Sequence, residues 1–398
     1  MSNRHKLRLA FVCPFGLRPK ATVAVRALPM AAALVQRGHA AALFVPPWDD
    51  PRASGQRQER DGVPVVQVST AGGHPAMLAR MVKEVLGFRP DVVHFFRPKG
   101  YPAAIAQLWH WRRLLGGRSA LVLDADDWEG PGGWNDVLPY PRWQKRLFAA
   151  QERWAYRHAD AVTVASEALR TIALSLGVPG ERAFHVPNAL PQPLREPDPA
   201  AVIAVRRALG LDGETLLLYT RFVEFPPEWP LTFLAQLRQL RPGAKLLVLG
   251  EGLQGQHELL RSAAWGQGVG TELVLAGWPG RESMPAYVRA AGVAVVPFED
   301  SLLARTKSSY KLLELMSLAT PIIASAVGEN VPYLGYGEAG MLLEPGLDAG
   351  TWALAVAELL GDAPRCEQLS RAAAARLRRE YLWPRLVERV EQAYECIL

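Results

Sequence analysis

The chain has only three cysteines in 398 residues, Cys13, Cys366 and Cys396, far apart and without a metal-type pair. That spacing argues against a disulfide framework or a zinc site and fits a reducing compartment. No apolar run reaches the roughly 18–20 residues of a membrane span. Residues 1–6 pass directly into a strand-like run with no signal-peptide core, so a soluble, cytoplasmic protein is expected. Zinc-finger spacing, an RNA-recognition motif and a dense basic tract are all missing, which speaks against nucleic acid as a partner. Short-period repeats and low-complexity segments are absent too.

What is present suits two packed domains. Hydrophobic residues make up 49% and charged residues 21%, too few charges for a disordered polyelectrolyte. The length exceeds what one compact core holds. Formal charge is +6, from 45 basic and 39 acidic residues, and suits anionic ligands such as sugar nucleotides or phospholipid surfaces.

Strand-like runs alternate with helical stretches, which argues for parallel α/β sheets. In the first half the runs are 7–12, 40–45, 65–68, 91–96, 121–124 and 161–165. The helix after the first strand and its loop (13–20) ends at Gly38, and Pro29 either starts or kinks it. The proline-dense tract 187–199 reads as a linker. Further strands are expected at 216–220, 246–249, 273–275, 293–296 and 321–324, and a last helix with Pro384 near its start. Ligands of such sheets sit beyond the carboxyl ends of the strands.

The most informative stretch is 307–325, KSSYKLLELMSLATPIIAS: a basic loop, an amphipathic helix and a buried strand. A helix start carries unpaired N–H groups that attract phosphate, and Lys307, Lys311, Ser308 and Ser309 strengthen that attraction. Glu314, a turn further in, can accept hydrogen bonds from a ribose diol. The plainer readings are a solvated basic loop and an exposed glutamate paired with Lys311.

This stretch resembles the donor site of retaining glycosyltransferases with the GT-B fold, glycosyltransferase family 4 in particular. The family pattern has two glutamates separated by seven residues, then a helix tail of the type Ala-Met-Ala-x-Gly-x-Pro-Val-Val-Ala. Glu314 matches the second glutamate and 315–324 match the tail, whereas Thr306 stands at the first. The resemblance implies two Rossmann-like parallel-sheet domains facing across a cleft. The first would cover 1–190, with a helix from about 382 to 398 crossing back to it, and the second 191–381. It also implies transfer of a sugar, with retention, from a nucleoside diphosphate sugar to a hydroxyl acceptor (glycan, lipid-linked or small molecule), with no metal and no further cofactor.

The resemblance extends to individual positions. Arg221 matches the family's diphosphate-binding arginine, but the lysine that follows it has no counterpart, because Pro226, Pro227 and Trp229 crowd its place. Lys307 is the expected replacement. Glu299, Asp300 or the set Gly328, Glu329 and Asn330 are candidates to make good the missing first glutamate. Gly250 and Gly252 match a Gly-x-Gly turn, and Trp278 either stacks on the base or plugs the rim of the core. Gly16 lies in the first loop, which lacks the dinucleotide fingerprint of NAD proteins. Arg97 and Lys99 point toward an anionic acceptor, His94 reads as a core histidine, and Arg26 faces the cleft or caps a surface.

Asp124, Asp126, Asp127 and Glu129 place four carboxylates in six residues, which repel unless cations or hydroxyls lie near. Asp126 and Asp127 are the catalytic candidates, standing where many family members have a histidine near the anomeric carbon. A hard-cation site and a helix cap remain alternatives. Trp134, Trp143, Phe148, Trp154 and Tyr156 alternate with Arg142, Lys145, Arg146, Arg153 and Arg157. Such a stretch lies on a membrane or packs as core, so peripheral contact with an inner membrane face is a further expectation. A sugar-nucleotide epimerase of the same fold and a non-catalytic sugar-nucleotide-binding subunit stay open beside the transferase.

Overall fold

A computed structural model describes residues 6–18 and 22–398. Residues 1–5 and residues 19 and 20 of the first loop, both part of the sequence reading, lie outside them. The chain forms two compact units. The first holds the chain up to Pro191 together with Arg305–Ser308 and Tyr381–Leu398; the second holds Gln192–Ala304 and Ser309–Glu380.

The first unit is built on eight strands: β1 (Arg8–Val12), β2 (Ala40–Val45), β3 (Arg57–Arg60), β4 (Val63–Gln67), β5 (Val92–Phe96), β6 (Ala120–Ala125), β7 (Ala161–Val164) and β8 (Ala183–His185). Their order is β3-β4-β2-β1-β5-β6-β7-β8, parallel except for β3 against β4. The inner strands are covered on both faces, so they read as unbroken apolar runs rather than alternating ones. The order reverses between β1 and β5, which opens a crevice at their carboxyl ends.

Pro29 stands in the first turn of its α-helix, as one of the two expectations had it, but the helical path begins earlier. A π-helical turn, Val23–Ala27, runs directly into the α-helix Leu28–Gln36, and the Leu28 N–H bonds the Val23 carbonyl five residues back. Proline lacks an N–H and its ring crowds the carbonyl four residues earlier; the wider turn relieves both problems. Gly38, at φ +98°, closes the helix through its N–H to Val35 at 2.9 Å.

The second unit has six parallel strands: β9 (Thr215–Tyr219), β10 (Lys245–Leu249), β11 (Leu273–Gly277), β12 (Val293–Val296), β13 (Ile322–Ser325) and β14 (Met341–Leu343). Their order, β11-β10-β9-β12-β13-β14, reverses between β9 and β12. Both units are therefore Rossmann-like.

The proline-dense tract is packed in its first half. Asn188, Ala189 and Leu190 are buried, and Leu190 bridges to Leu382. Asp198 then caps the helix Pro199–Ala208 by accepting the Ala200 N–H at 2.8 Å. The last helix, Trp383–Glu395, buries Trp383, Val387, Val390 and Tyr394 within the first unit. Among the described residues no helix is long and apolar enough to cross a membrane.

Candidate active site

In the second unit a polar cluster forms where the chain leaves β9. The Tyr219 ring meets Trp278, from the loop after β11, edge-on at 5.8 Å. The Arg221 guanidinium lies over the same indole at 4.6 Å. Lys311, in the first turn of the helix Tyr310–Ser317, holds its ammonium 5.5 Å from the Tyr219 ring centre and 3.6 Å from Glu224. The Tyr219 hydroxyl hydrogen-bonds Glu314 one turn further along, and Arg281 hydrogen-bonds Tyr310. Protein packed around the half-buried Glu314 pushes its pKa up to about 7, against the pull of Tyr219, Arg281 and Lys311. Two cations thus lie over adjoining aromatic rings beside two carboxylates, Glu224 and Glu314.

Local backbone chemistry explains why they meet. A Cβ on Gly250 would sit 1.9 Å from the Thr220 carbonyl and 3.3 Å from Trp278, so the close approach of the ends of β9 and β10 requires glycine. The Gly250 N–H bonds Gly277 at 2.7 Å, and the Gly252 N–H donates to His257 at 3.3 Å. Beyond Arg221 the chain turns inward. Phe222 and Phe225 are buried, and Phe225 packs on Trp229, which stacks on Phe233 at 4.9 Å. That apolar plug occupies the segment where the family carries its lysine. Glu224, the alternative partner of Arg221, accepts from Thr220 at 3.0 Å and Val223 at 3.1 Å and faces Lys311.

In the first unit the acidic run at the end of β6 is matched by cations. Asp124, wholly buried, accepts two hydrogen bonds from Arg26 at 2.6 and 2.8 Å and one from Thr163 at 2.7 Å. Burial raises its pKa and Arg26 pulls it back; the two-pronged geometry is that of a charged pair. Arg97, at φ +60°, reaches Asp126 at 3.1 Å, Asp127 at 2.6 Å and Glu129 at 3.0 Å, while Lys99 pairs with Glu129. Asp126 and Glu129 are buried and Asp127 is partly exposed. Burial is the main cause of the raised Asp127 pKa, with Arg97 opposing it. The Trp134 indole stands near Asp127 without a well-aligned hydrogen bond.

His94 is a core group, as expected. Burial, and then Arg26, hold its pKa down to about 3. The Thr163 hydroxyl proton goes to Asp124, so His94 donates from Nε2 to Thr163 at 3.2 Å and accepts at Nδ1 from Tyr394 at 2.7 Å. Arg26 continues this chain to Asn188 at 3.2 Å, and Asn188 bonds Ser308 at 2.9 and 2.7 Å. Among the described residues no group of three or more His, Cys, Asp or Glu is arranged to hold a metal ion.

Comparison with known proteins decides the family. Residues 21–189 match the glycosyl transferase 4-like domain, and residues 214–362 match glycosyl transferases group 1. The chain belongs to the GT-B glycosyltransferases. Among its relatives is a 2-deoxystreptamine N-acetyl-D-glucosaminyltransferase of Streptomyces fradiae, 26% identical over 74% of this chain and 68% of that enzyme. A D-inositol 3-phosphate glycosyltransferase of Thermobispora bispora is 31% identical over 49% of this chain and 46% of its own length. The fold is also that of Anabaena HepE, solved with UDP and glucose (TM-score 0.72, 16% identity, 98% of this chain and 100% of that one). Sucrose-phosphate synthase of Thermosynechococcus elongatus is similar (TM-score 0.73, 18% identity, 98% and 99%).

In this glycosyltransferase the residues expected at the donor divide between the units. Arg221, Glu314, Gly250 and Trp278 come together in the second, with Gly252 in the turn beside them. Lys307 and Ser308 belong to the first, where Lys307 lies 5.7 Å over Trp134 and Ser308 is engaged by Asn188. The Ser309 side chain caps the helix Tyr310–Ser317 by accepting from Leu312 at 3.4 Å. Gly16 donates to Asp49 at 2.7 Å, and a Cβ there would meet that carboxylate and the Arg18 carbonyl, each at 3.0 Å. Arg97 and Lys99, expected to face an anionic acceptor, are engaged by carboxylates of their own unit.

Lys311, expected beside the phosphate as well as a partner to Glu314, is joined by two residues outside the candidate set, Tyr219 and Arg281. Tyr219 had a signal, as the last side chain of the strand that ends at Thr220 and Arg221. Arg281 had none: it lies in an exposed loop without a motif.

Proposed function

We propose that this glycosyltransferase moves a sugar from a nucleoside diphosphate sugar to a hydroxyl acceptor with retention, using side chains rather than a resident metal to stabilise the leaving diphosphate. The observation that carries this reading is the pairing of Arg221 with Lys311 over the Trp278 and Tyr219 rings. Negative charge builds on the diphosphate as the glycosidic bond breaks, and fixed cations bind that charge more strongly than the ground state. Lys311 takes the place of the lysine that the Phe222–Trp229 plug displaces. Glu314 accepts the ribose hydroxyls. In the first unit Asp127, the partly exposed member of its cluster, orients the acceptor hydroxyl, and Asp126 holds Arg97.

HepE has been solved with UDP-glucose, so UDP and its glucose ester are the first donor probes. Calorimetry should give weaker UDP binding for both Arg221→Ala and Lys311→Ala, each by roughly ten- to a hundredfold, the value of a charge-assisted hydrogen bond. Unchanged affinity in both would remove the donor assignment. Products then separate the remaining readings. Transfer releases nucleotide in step with acceptor, an epimerase makes a sugar isomer without acceptor, and a binding subunit does neither.

A further inference from the structure

Two neighbouring helices of the first unit leave an unusual surface in solvent. The helix Tyr101–Leu114 and the turn after it expose Leu108, Trp111, Leu114 and Leu115 at helical spacing; Trp111 is 64% and Leu115 89% accessible. The helix Arg142–His158 exposes Trp143, at 66%, and Leu147. His110 joins the two helices through Trp154 at 5.5 Å and His158 at 4.9 Å. Tyr156 is buried and Trp154 half-buried, so these two of the aromatic residues expected to meet a membrane are structural.

The exposed charge carried by the two helices themselves is basic. Residues 101–118 contain no aspartate or glutamate, and 142–158 contain only Glu152, which is buried. Arg112, Arg118, Arg142, Arg146, Arg153 and Arg157 are exposed, and among the described residues none of them forms an ion pair. Arg113 and Lys145, close by, do have carboxylate partners, Asp160 and Asp136.

We infer that this face docks the protein on an anionic phospholipid bilayer, with Trp111, Leu114, Leu115 and Trp143 entering the headgroup boundary and the arginines meeting lipid phosphates. A soluble surface rarely leaves two tryptophans and a row of leucines exposed on neighbouring helices. Interfacial helices combine this apolar edge with a basic one, and tryptophan suits the depth where one end is dry and the other wet. A second copy of the chain fits poorly, because a two-fold contact would set arginine against arginine. Nucleic acid fits poorly as well: it would meet the arginines but leave the aliphatic leucines with nothing to bury against.

The test is sedimentation of the full chain with vesicles at low salt. Phosphatidylcholine vesicles are compared with vesicles of phosphatidylcholine mixed with phosphatidylglycerol. The expected result is binding to the mixed vesicles that salt reverses. Trp111→Ser with Leu115→Ser, and separately Arg142→Glu with Arg146→Glu, should each lower the bound fraction at least tenfold with UDP affinity and melting temperature unchanged. Absence of binding to the mixed vesicles would overturn the inference, as would binding that both variants retain. Self-association in ultracentrifugation that the variants abolish would reassign the face to a contact between copies. Oligonucleotide binding lost in the same variants would reassign it to nucleic acid.

Discussion

The proposed ribose contact makes Glu314 a side chain that serves folding and ligand at once. Its pKa is raised from the ordinary 4.5 to about 7 because protein surrounds it, and Tyr219, Arg281 and Lys311 offset only part of that. A carboxyl with a raised folded-state pKa binds its proton more tightly in the folded chain than in the unfolded one. Its contribution to stability is complete below the ordinary value and is lost as pH rises through about 7. Ribose binding runs the other way, since the ionised carboxylate is the better acceptor. UDP affinity of the parent protein should therefore climb with pH through about 7, while its melting temperature falls. Glu314→Gln, which never ionises, should bind UDP more weakly at high pH and lose both slopes. Calorimetry and thermal melts across this range check the pair; a variant that keeps the parental affinity profile would exclude Glu314 from the ligand.

The buried chain Tyr394, His94, Thr163, Asp124, Arg26 and Asn188 ties together β5, β6 and β7, the π-turn that leads into the helix Leu28–Gln36, and the C-terminal helix. Removing one partner of the central pair leaves an uncompensated charge. Asp124→Ala should thus cost about 3–5 kcal/mol. Replacing both, Arg26→Met with Asp124→Leu, should cost clearly less. Urea denaturation separates the two; equal losses would mean that packing, not charge, holds this place. Little of this chain was legible beforehand. Asp124 read as one of four crowded acids that needed cations, and that need was correct in kind. Which cations answered it was hidden, because Arg26 and Arg97 lie far away in sequence and only the parallel sheet brings them close. The strands themselves were plain wherever both faces are covered, as in β2, β6 and β12. β3 was invisible: Arg57, Gln58, Glu59 and Arg60 carry no apolar signal, and its one partner strand is β4. In the second unit, Glu314 and Arg221 stand out by their motif and Lys311 by its charge, whereas the place of Lys311 beside Tyr219 and Glu224 depends on how the chain after Arg221 folds inward.

At the scale of the whole molecule, the first unit is not a contiguous stretch of chain. It is assembled from the N-terminal half, four residues around Lys307, and the last eighteen residues from Tyr381 to Leu398. That arrangement makes the C-terminal helix part of a core rather than an appendage. Trp383, Val387, Val390 and Tyr394 are wholly buried, and Glu391 accepts from Arg37 at 2.7 Å and contacts His39 at 3.2 Å. Burying one large apolar side chain stabilises by about 1.5–3 kcal/mol, so four of them compare with the 5–15 kcal/mol that holds a typical domain together. Deleting 381–398 should therefore unfold the first unit and not merely fray an end. Circular dichroism should lose the cooperative transition of that unit, and the truncated chain should accumulate as aggregate. Tyr394→Phe removes only the hydroxyl that His94 accepts and should retain a cooperative melt at about 1–3 kcal/mol lower stability, the cost of a buried group left unpaired. A truncated chain that melts like the parent would show that the unit closes without its last helix, and the chain from Tyr394 to Asn188 would then have no structural role.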